Sequence, residues 1–346
     1  MKTIFVKTLK LLFLTAVIVS TSSCNNKKSD EAIEDTDIKK VESINENVFI
    51  DSNDTKLYAE IRGKNNTKPV ILFLHGGPGD VALGLIPFQV YAGKKLEENF
   101  VMVYLHQRGL VNSLAVPDST QTIENHISDV ENVIHYLNNK LNREKIILMG
   151  HSWGGLLGSL YLIKEDFKVE KFIAIASPFN FNKSNLESLN YTLEWAKSTQ
   201  KQEAILELSE QVKPPINTFD KQLVKSKWAS QAYGGIAKNF SIEKIINDSD
   251  YKEIKIEWQV KTLDVAKAMF DSLNTINIEN HINEVNVPIL FMAGKNDANV
   301  PPITVKEVFD RYKNEKEFVL FENSHHLIFV DEPDFFVKEV KEFLSK

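Results

Sequence analysis

Gly150-His151-Ser152-Trp153-Gly154 sets a hydroxyl between two glycines in a G-x-S-x-G pattern. The apolar run Ile146–Met149 precedes it and a helical stretch begins at about Gly154, so Ser152 falls at a strand-to-helix turn. Glycines suit that turn because it is tight, and the strain it imposes lifts the hydroxyl clear of the sheet. The chemistry such a residue can do is nucleophilic attack on a carbonyl, and Ser152 is the candidate nucleophile. The peptide N–H of Trp153, at the start of the following helix, is one candidate donor to the oxyanion. A second comes from His75-Gly76-Gly77-Pro78-Gly79, which closes the run Val70–Leu74, and it is assigned to the N–H of Gly77. Glycines there let backbone approach a substrate closely. His75 is read as a structural residue that orients this loop.

An acid and a base follow in the order Ser, Asp, His. Asp297 comes immediately after the run Val287–Met292, where a strand-end carboxylate can hold a histidine ring in one tautomer. Asp331 is its competitor, but it follows the histidines and reads as helix-flanking. His325 and His326 both follow the run Phe318–Phe321, and adjacency alone leaves the choice of base between them.

The elements around these residues alternate. Val48–Ile50 and Leu57–Ile61 read as an opening hairpin. Val70–Leu74, Val101–Leu105, Ile146–Met149 and Phe172–Ala176 are short apolar runs bounded by turn residues, as expected of strands buried on both faces of a parallel sheet. Ile86–Leu96 and Ile123–Leu141 carry apolar residues at helical spacing. Such alternation predicts an α/β fold with a mostly parallel, doubly wound sheet. The rhythm breaks after Pro178 and resumes at Val287, so residues 179–281 are expected to form a helical cap inserted between the sixth and seventh strands. Trp195, Trp228, Tyr233 and Trp258 are spread through that cap. The core is then 47–178 and 282–346, closed by a helix from Pro333.

The two glycine motifs together, His75–Gly79 and Gly150–Gly155, resemble the prolyl iminopeptidase branch of the α/β-hydrolases, from about Val48 to the C-terminus. A third motif of that branch, Asp-Gln-Arg-Gly followed by Gly and Ser, stands here as His106-Gln107-Arg108-Gly109, with Val111 for the Gly and Ser113 kept. These departures are expected close to the pocket. In that branch the catalytic His precedes a pair of acids and a Pro. Counting back from Asp331-Glu332-Pro333 selects His326 and leaves His325 as a pocket-rim or exposed residue. The resemblance implies an acyl-enzyme aminopeptidase releasing an N-terminal residue, typically Pro, from short peptides. It also implies a carboxylate in the cap for the free amine, with Glu187, Glu194, Glu203, Glu207 and Glu210 as candidates, although each by itself reads as part of a solvated helix face. The alternative is an esterase, lactonase or amidase acting on a small molecule under the same cap. A binding protein without catalysis would predict damaged motif positions, and all are filled.

The remaining composition narrows the partners. Of 346 residues 43% are hydrophobic, the net charge is −6, and no Lys/Arg run is interleaved with aromatics, so no nucleic-acid partner is expected. No H-E-x-x-H and no G-x-G-x-x-G after the first strand occur, so neither a metal nor a nucleotide cofactor is indicated. Lys2, Lys7 and Lys10 precede the apolar run Leu11–Val19, which falls short of the roughly 20 residues of a membrane span. Residues 1–23 therefore read as a signal peptide. It ends in Thr21-Ser22-Ser23-Cys24, and Cys24 is the only cysteine. That arrangement resembles a bacterial lipoprotein signal, with Thr21 where an aliphatic is usual. It implies an exported protein anchored at a membrane surface of the cell envelope through a lipidated Cys24. The alternative is a secreted or periplasmic soluble protein. Residues 24–46 are polar and read as a flexible tether.

Overall fold

In the computed structural model, residues 41–79, 84–110, 112–113, 116–165, 167–241, 245 and 256–346 are described, and of 256–262 only the backbone. The expected signal peptide, Cys24, most of the tether, and Val111 lie outside the described residues. Among the described residues no helix is long and apolar enough to cross a membrane.

Eight strands make one sheet: β1 (Ile44–Ser52), β2 (Thr55–Gly63), β3 (Val70–Leu74), β4 (Val101–His106), β5 (Ile146–His151), β6 (Val169–Ile175), β7 (Ile289–Gly294) and β8 (Lys316–Phe321). Their order is β1-β2-β4-β3-β5-β6-β7-β8. β1 and β2 form the antiparallel hairpin, turning at Asn53 with φ of 46°, and β2 runs antiparallel to β4. All pairings from β4 through β3 and β5 to β8 are parallel. Every residue of β3, β4, β5 and β7 is buried, which is why their sequences are continuous apolar runs rather than alternating ones. Two boundaries differ from expectation. β1 begins at Ile44, so the last residues of the expected tether belong to the sheet. β7 begins at Ile289 rather than Val287, since Pro288 has no N–H for a ladder and only its carbonyl pairs, with Phe172 N.

The helices that matter for the site are α1 (Ile123–Leu141), α2 (Trp153–Lys164), α3 (Phe181–Ser198), α4 (Gln202–Glu210), α5 (Phe219–Ala229), α6 (Ile256–Leu273), α7 (Pro302–Arg311) and α8 (Pro333–Leu344). α1 has the expected bounds. The Thr122 side chain accepts from Asn125 N at its start, and Asn142 ends it in the left-handed region. The stretch Ile86–Leu96 is helical, but its middle, Gln89–Gly93, is wound wide. α3 to α6 all fall between β6 and β7. Trp195 and Trp228 are buried there, in a small second core with Leu189, Leu208 and Val212.

β3 sits between β4 and β5, so the chain leaves it toward one edge of the sheet and returns past it toward the other. That switch point puts the loop after β3 beside the loop after β5, with Leu74 paired to Gly150. Open α/β sheets hold their ligands in such a crevice. Arg108 pins the neighbouring loop after β4. It is fully buried and grips Asp129 of α1 with two bonds, Nε at 2.7 Å and Nη2 at 2.8 Å, while Asp129 also accepts from Ser52 Oγ.

Candidate active site

Ser152 stands between β5 and α2 with φ 54° and ψ −120°, a strained backbone for a residue with a side chain. Three contacts hold it. Its own N–H donates to Ile175 O at 2.8 Å, and its carbonyl receives Gly155 N and Leu156 N at 3.0 and 3.2 Å. The glycines are needed for closeness: a Cβ on Gly154 would overlap the carbonyl of Leu74 and lie 2.7 Å from His75 O. A Cβ on Gly155 would likewise overlap Ser177 Oγ.

Ser152 lines a cavity of about 630 Å³. Gly77, Trp153 and His326 line it too. Trp153 is the first residue of α2, so its N–H has no intrahelical carbonyl to bond. Gly77 has a φ of 120°, which a side chain would resist. The loop carrying Gly77 is fixed from behind by a chain of bonds. The Trp153 indole donates to Gln107 Oε1 at 2.9 Å, and Gln107 Nε2 donates to His75 O at 2.9 Å. His75 Nδ1 donates to Gly76 O at 2.8 Å, leaving Nε2 to accept from Gln107 N at 3.4 Å. Burial, reinforced by nearby His106, holds the His75 pKa down at about 3, so the ring is neutral and keeps that tautomer. Its geometry is that of an orienting residue. Gln107, present in a recognisable motif, is the link that the sequence reading left without a role.

Asp297 is fully buried behind His326. Its Oδ2 lies 2.7 Å from His326 Nδ1, and its Oδ1 accepts Asn299 N at 2.8 Å and Val300 N at 2.9 Å. A carboxylate only accepts, so His326 Nδ1 carries the proton and Nε2 is left with a lone pair. His151 donates Nε2–H to His326 O at 3.1 Å, and its ring centre is 4.6 Å from that of His326. Burial, then the neighbouring His326, pushes the His151 pKa well down, so this ring is a neutral prop for the loop.

Two expectations need correction, and two are made more definite. His325 is not a rim or exposed residue: it is 3% exposed, outside the cavity, with Nδ1 at 2.8 Å from Asp331 Oδ2 and Nε2 at 2.9 Å from Tyr233 O. Asp331 is accordingly more than a helix flank. It is buried, and accepts from His325 N and Asn239 N as well. His106 does not border the cavity; its ring is buried 3.3 Å from Glu60 at the end of β4, with Ser113 Oγ donating to its carbonyl. None of Glu187, Glu194, Glu203, Glu207 and Glu210 lines the cavity either, and Glu207 is engaged by Lys227 and the Trp228 indole. Among the described residues no carboxylate lines it, and Trp195, Trp228 and Tyr233 are absent from its wall.

What the sequence reading missed is a buried charge on the cavity wall. Lys225 of α5 faces the cavity while only 2% exposed, bonded through Nζ to Asn185 Oδ1 at 2.9 Å. In Phe219–Ala229 it is one of three lysines, and nothing in their spacing singles it out. Apolar side chains, among them Phe181, Phe219, Leu223 and Phe270, make most of the remaining surface. No group of three or more His, Cys, Asp or Glu among the described residues is arranged to hold a metal ion.

The family model described as alpha/beta hydrolase fold matches residues 69–333. A probable aminopeptidase, YbaC of Bacillus subtilis, is 26% identical over 296 residues, covering 82% of this chain and 91% of its own. A putative esterase/lipase of Haemophilus influenzae is 24% identical over 302 residues, covering 84% and 87%. Among solved structures, the proline iminopeptidase of Mycobacterium smegmatis superposes with a TM-score of 0.67 at 16% identity, over 87% of this chain and 98% of that one.

Proposed function

The chain belongs to the α/β-hydrolase family, and from that premise we propose that it is a serine hydrolase working through an acyl-enzyme on Ser152. The observation that carries the reading is the shared cavity: Ser152 on its strained turn and His326, backed by Asp297, border one space. In this reading His326 Nε2 takes the Ser152 proton as Oγ attacks the substrate carbonyl. The N–H groups of Gly77 and Trp153 receive the oxyanion, where one donor is worth on the order of 10²–10³ in rate. His326 then gives its proton to the leaving group, and water repeats the sequence on the acyl-enzyme.

Within that chemistry, the relatives support an aminopeptidase of prolyl iminopeptidase type. The second reading, an esterase, lactonase or amidase for small molecules, is favoured by a specific observation. The described cavity wall has a buried lysine and no carboxylate for a free amine. One experiment separates them: hydrolysis of proline 4-nitroanilide, its N-acetyl form and 4-nitrophenyl butyrate, by the wild type and by Ser152→Ala. Turnover of the free prolyl compound alone supports the peptidase, and turnover of the ester alone supports the second reading. Activity that survives Ser152→Ala sinks both.

The solitary Cys24 after a short apolar run supports a lipid-anchored envelope protein. Acyl chains at about 0.8 kcal/mol per buried CH₂ would hold it at a membrane surface. Cys24→Ser should move the protein from the membrane pellet to the soluble fraction. An unchanged distribution would reject the anchor.

A further inference from the structure

Among the buried polar residues of the cavity wall other than the histidines, three have no part in the acyl-transfer steps. Lys225, Asn185 and Ser184 all line the cavity that holds Ser152, at 2%, 5% and 3% exposure. Ser184 and Asn185 lie in the first turns of α3, Lys225 in α5. An ammonium only donates, so the Asn185 oxygen must be the atom facing Lys225, which turns the amide NH₂ elsewhere. That Nδ2 and the Ser184 hydroxyl are both buried with no hydrogen-bond partner among the described residues. Buried donors in native proteins are nearly always satisfied, so an unsatisfied pair beside a cation asks for an acceptor from outside the chain. No carboxylate among the described residues bonds Lys225 directly, and Asp297 acts on it only through its charge. Burial lowers its pKa to about 8, which still leaves the ammonium form in the majority at neutral pH.

We propose that Lys225, Asn185 and Ser184 form a subsite for a carboxylate carried by the substrate. One cation and two neutral donors match one negative charge and its lone pairs, where a phosphate dianion would be left half-neutralised. The apolar wall around them suits a substrate with a hydrophobic body between the scissile carbonyl and that carboxylate. The inference rests on the acyl-transfer reading of Ser152. Two sources share the chemistry: the free C-terminus of a dipeptide, on the leaving side, or an acidic acyl chain.

Matched pairs test it. Prolyl-alanine is compared with prolyl-alaninamide, and glutaryl 4-nitroanilide with its terminal carboxamide, in the full chain and in Lys225→Met. Wild type should favour the carboxylate member of one pair by tenfold or more in kcat/KM, and Lys225→Met should erase that ratio. Lys225→Arg should retain part of it. The pair that responds identifies the source. The same four compounds are titrated calorimetrically into Ser152→Ala, with and without Lys225→Met, so binding is read without turnover. Carboxylate binding that depends on Lys225, without any Ser152-dependent hydrolysis, would keep the subsite and reject the acyl-transfer reading. No preference and no carboxylate binding in either pair, or a preference that survives Lys225→Met in a variant with unchanged melting, overturns the subsite.

Discussion

Asp297→Asn separates two histidine–aspartate pairs whose histidines are adjacent in the segment after β8. The replacement amide is not free to choose its orientation. Asn299 N and Val300 N both donate to Asp297 Oδ1, at 2.8 and 2.9 Å, so an Asn must keep its carbonyl oxygen there. Its NH₂ then replaces Oδ2, 2.7 Å from His326 Nδ1. Two donors cannot share that gap, so His326 gives up the Nδ1 proton and carries it on Nε2 instead. The lone pair that should accept the Ser152 proton is gone. A wrong tautomer of this kind costs about 10⁴ in kcat, which corresponds to about 5.4 kcal/mol in the barrier. Folding should survive, because size and both backbone bonds are kept. The assay is steady-state hydrolysis of whichever test substrate the wild type turns over, with thermal melting alongside. Asp331→Asn is the control. It disturbs the His325 pair outside the cavity and should cost less than tenfold in kcat while lowering the melting temperature. A loss under tenfold for Asp297→Asn, with 10³ or more for Asp331→Asn, would refute the assignment and exchange the roles.

Stability should also depend on pH in a definite direction. Burial holds His75 and His126 at about 3 and His151 well below its usual value, so all three are neutral in the fold. The unfolded chain binds their protons below about pH 6.5, so stability falls as pH drops from 6.5 toward 5, by up to about 1.4 kcal/mol per pH unit for each ring. Asp129 and Glu97, raised by burial, act in the opposite sense, because the fold holds their protons more tightly than the unfolded chain does. His126→Gln should flatten the slope of unfolding free energy by about one ring's share, and an unaltered slope in denaturant titrations at pH 5 to 6.5 would contradict it. Gly154→Ala would drive a methyl group into the backbone of Leu74 and His75. Main chain in the centre of a sheet cannot step aside, so the cost should reach at least the 1–3 kcal/mol typical of overpacking, about that order. Labelling by a fluorophosphonate should slow in step, and a variant that melts and labels like the wild type would count against the tight elbow.

The strands and the two glycine loops were legible because their causes are local. A run such as Val70–Leu74 is apolar throughout for burial on two faces, and α1 announces itself by the helical spacing of its apolar residues. Ser152, Gly77 and Trp153 could be named for the same reason: a tight turn needs its glycines at fixed offsets, whatever packs around it. The histidine pair shows where local signals end. His325 and His326 are adjacent in the chain, and a motif landmark was needed to choose between them. In the fold they turn to different acids, His326 to Asp297, 29 residues earlier, and His325 to Asp331, six later.

The same limit hid the cavity's buried lysine. Lys221, Lys225 and Lys227 share one helix, and by composition each reads as a solvated charge. Only the packing of α5 against α3 buries Lys225 beside Asn185, and it leaves the five cap glutamates outside the described wall. Sequence by itself determined the hydrolase scaffold and the tight strand-to-helix turn at Ser152, since backbone geometry constrains residues a few positions apart. The charge on the cavity wall was decided by tertiary structure alone. Burial and pairing arise from residues distant in the chain, and a lysine carries no mark of the surface it will meet.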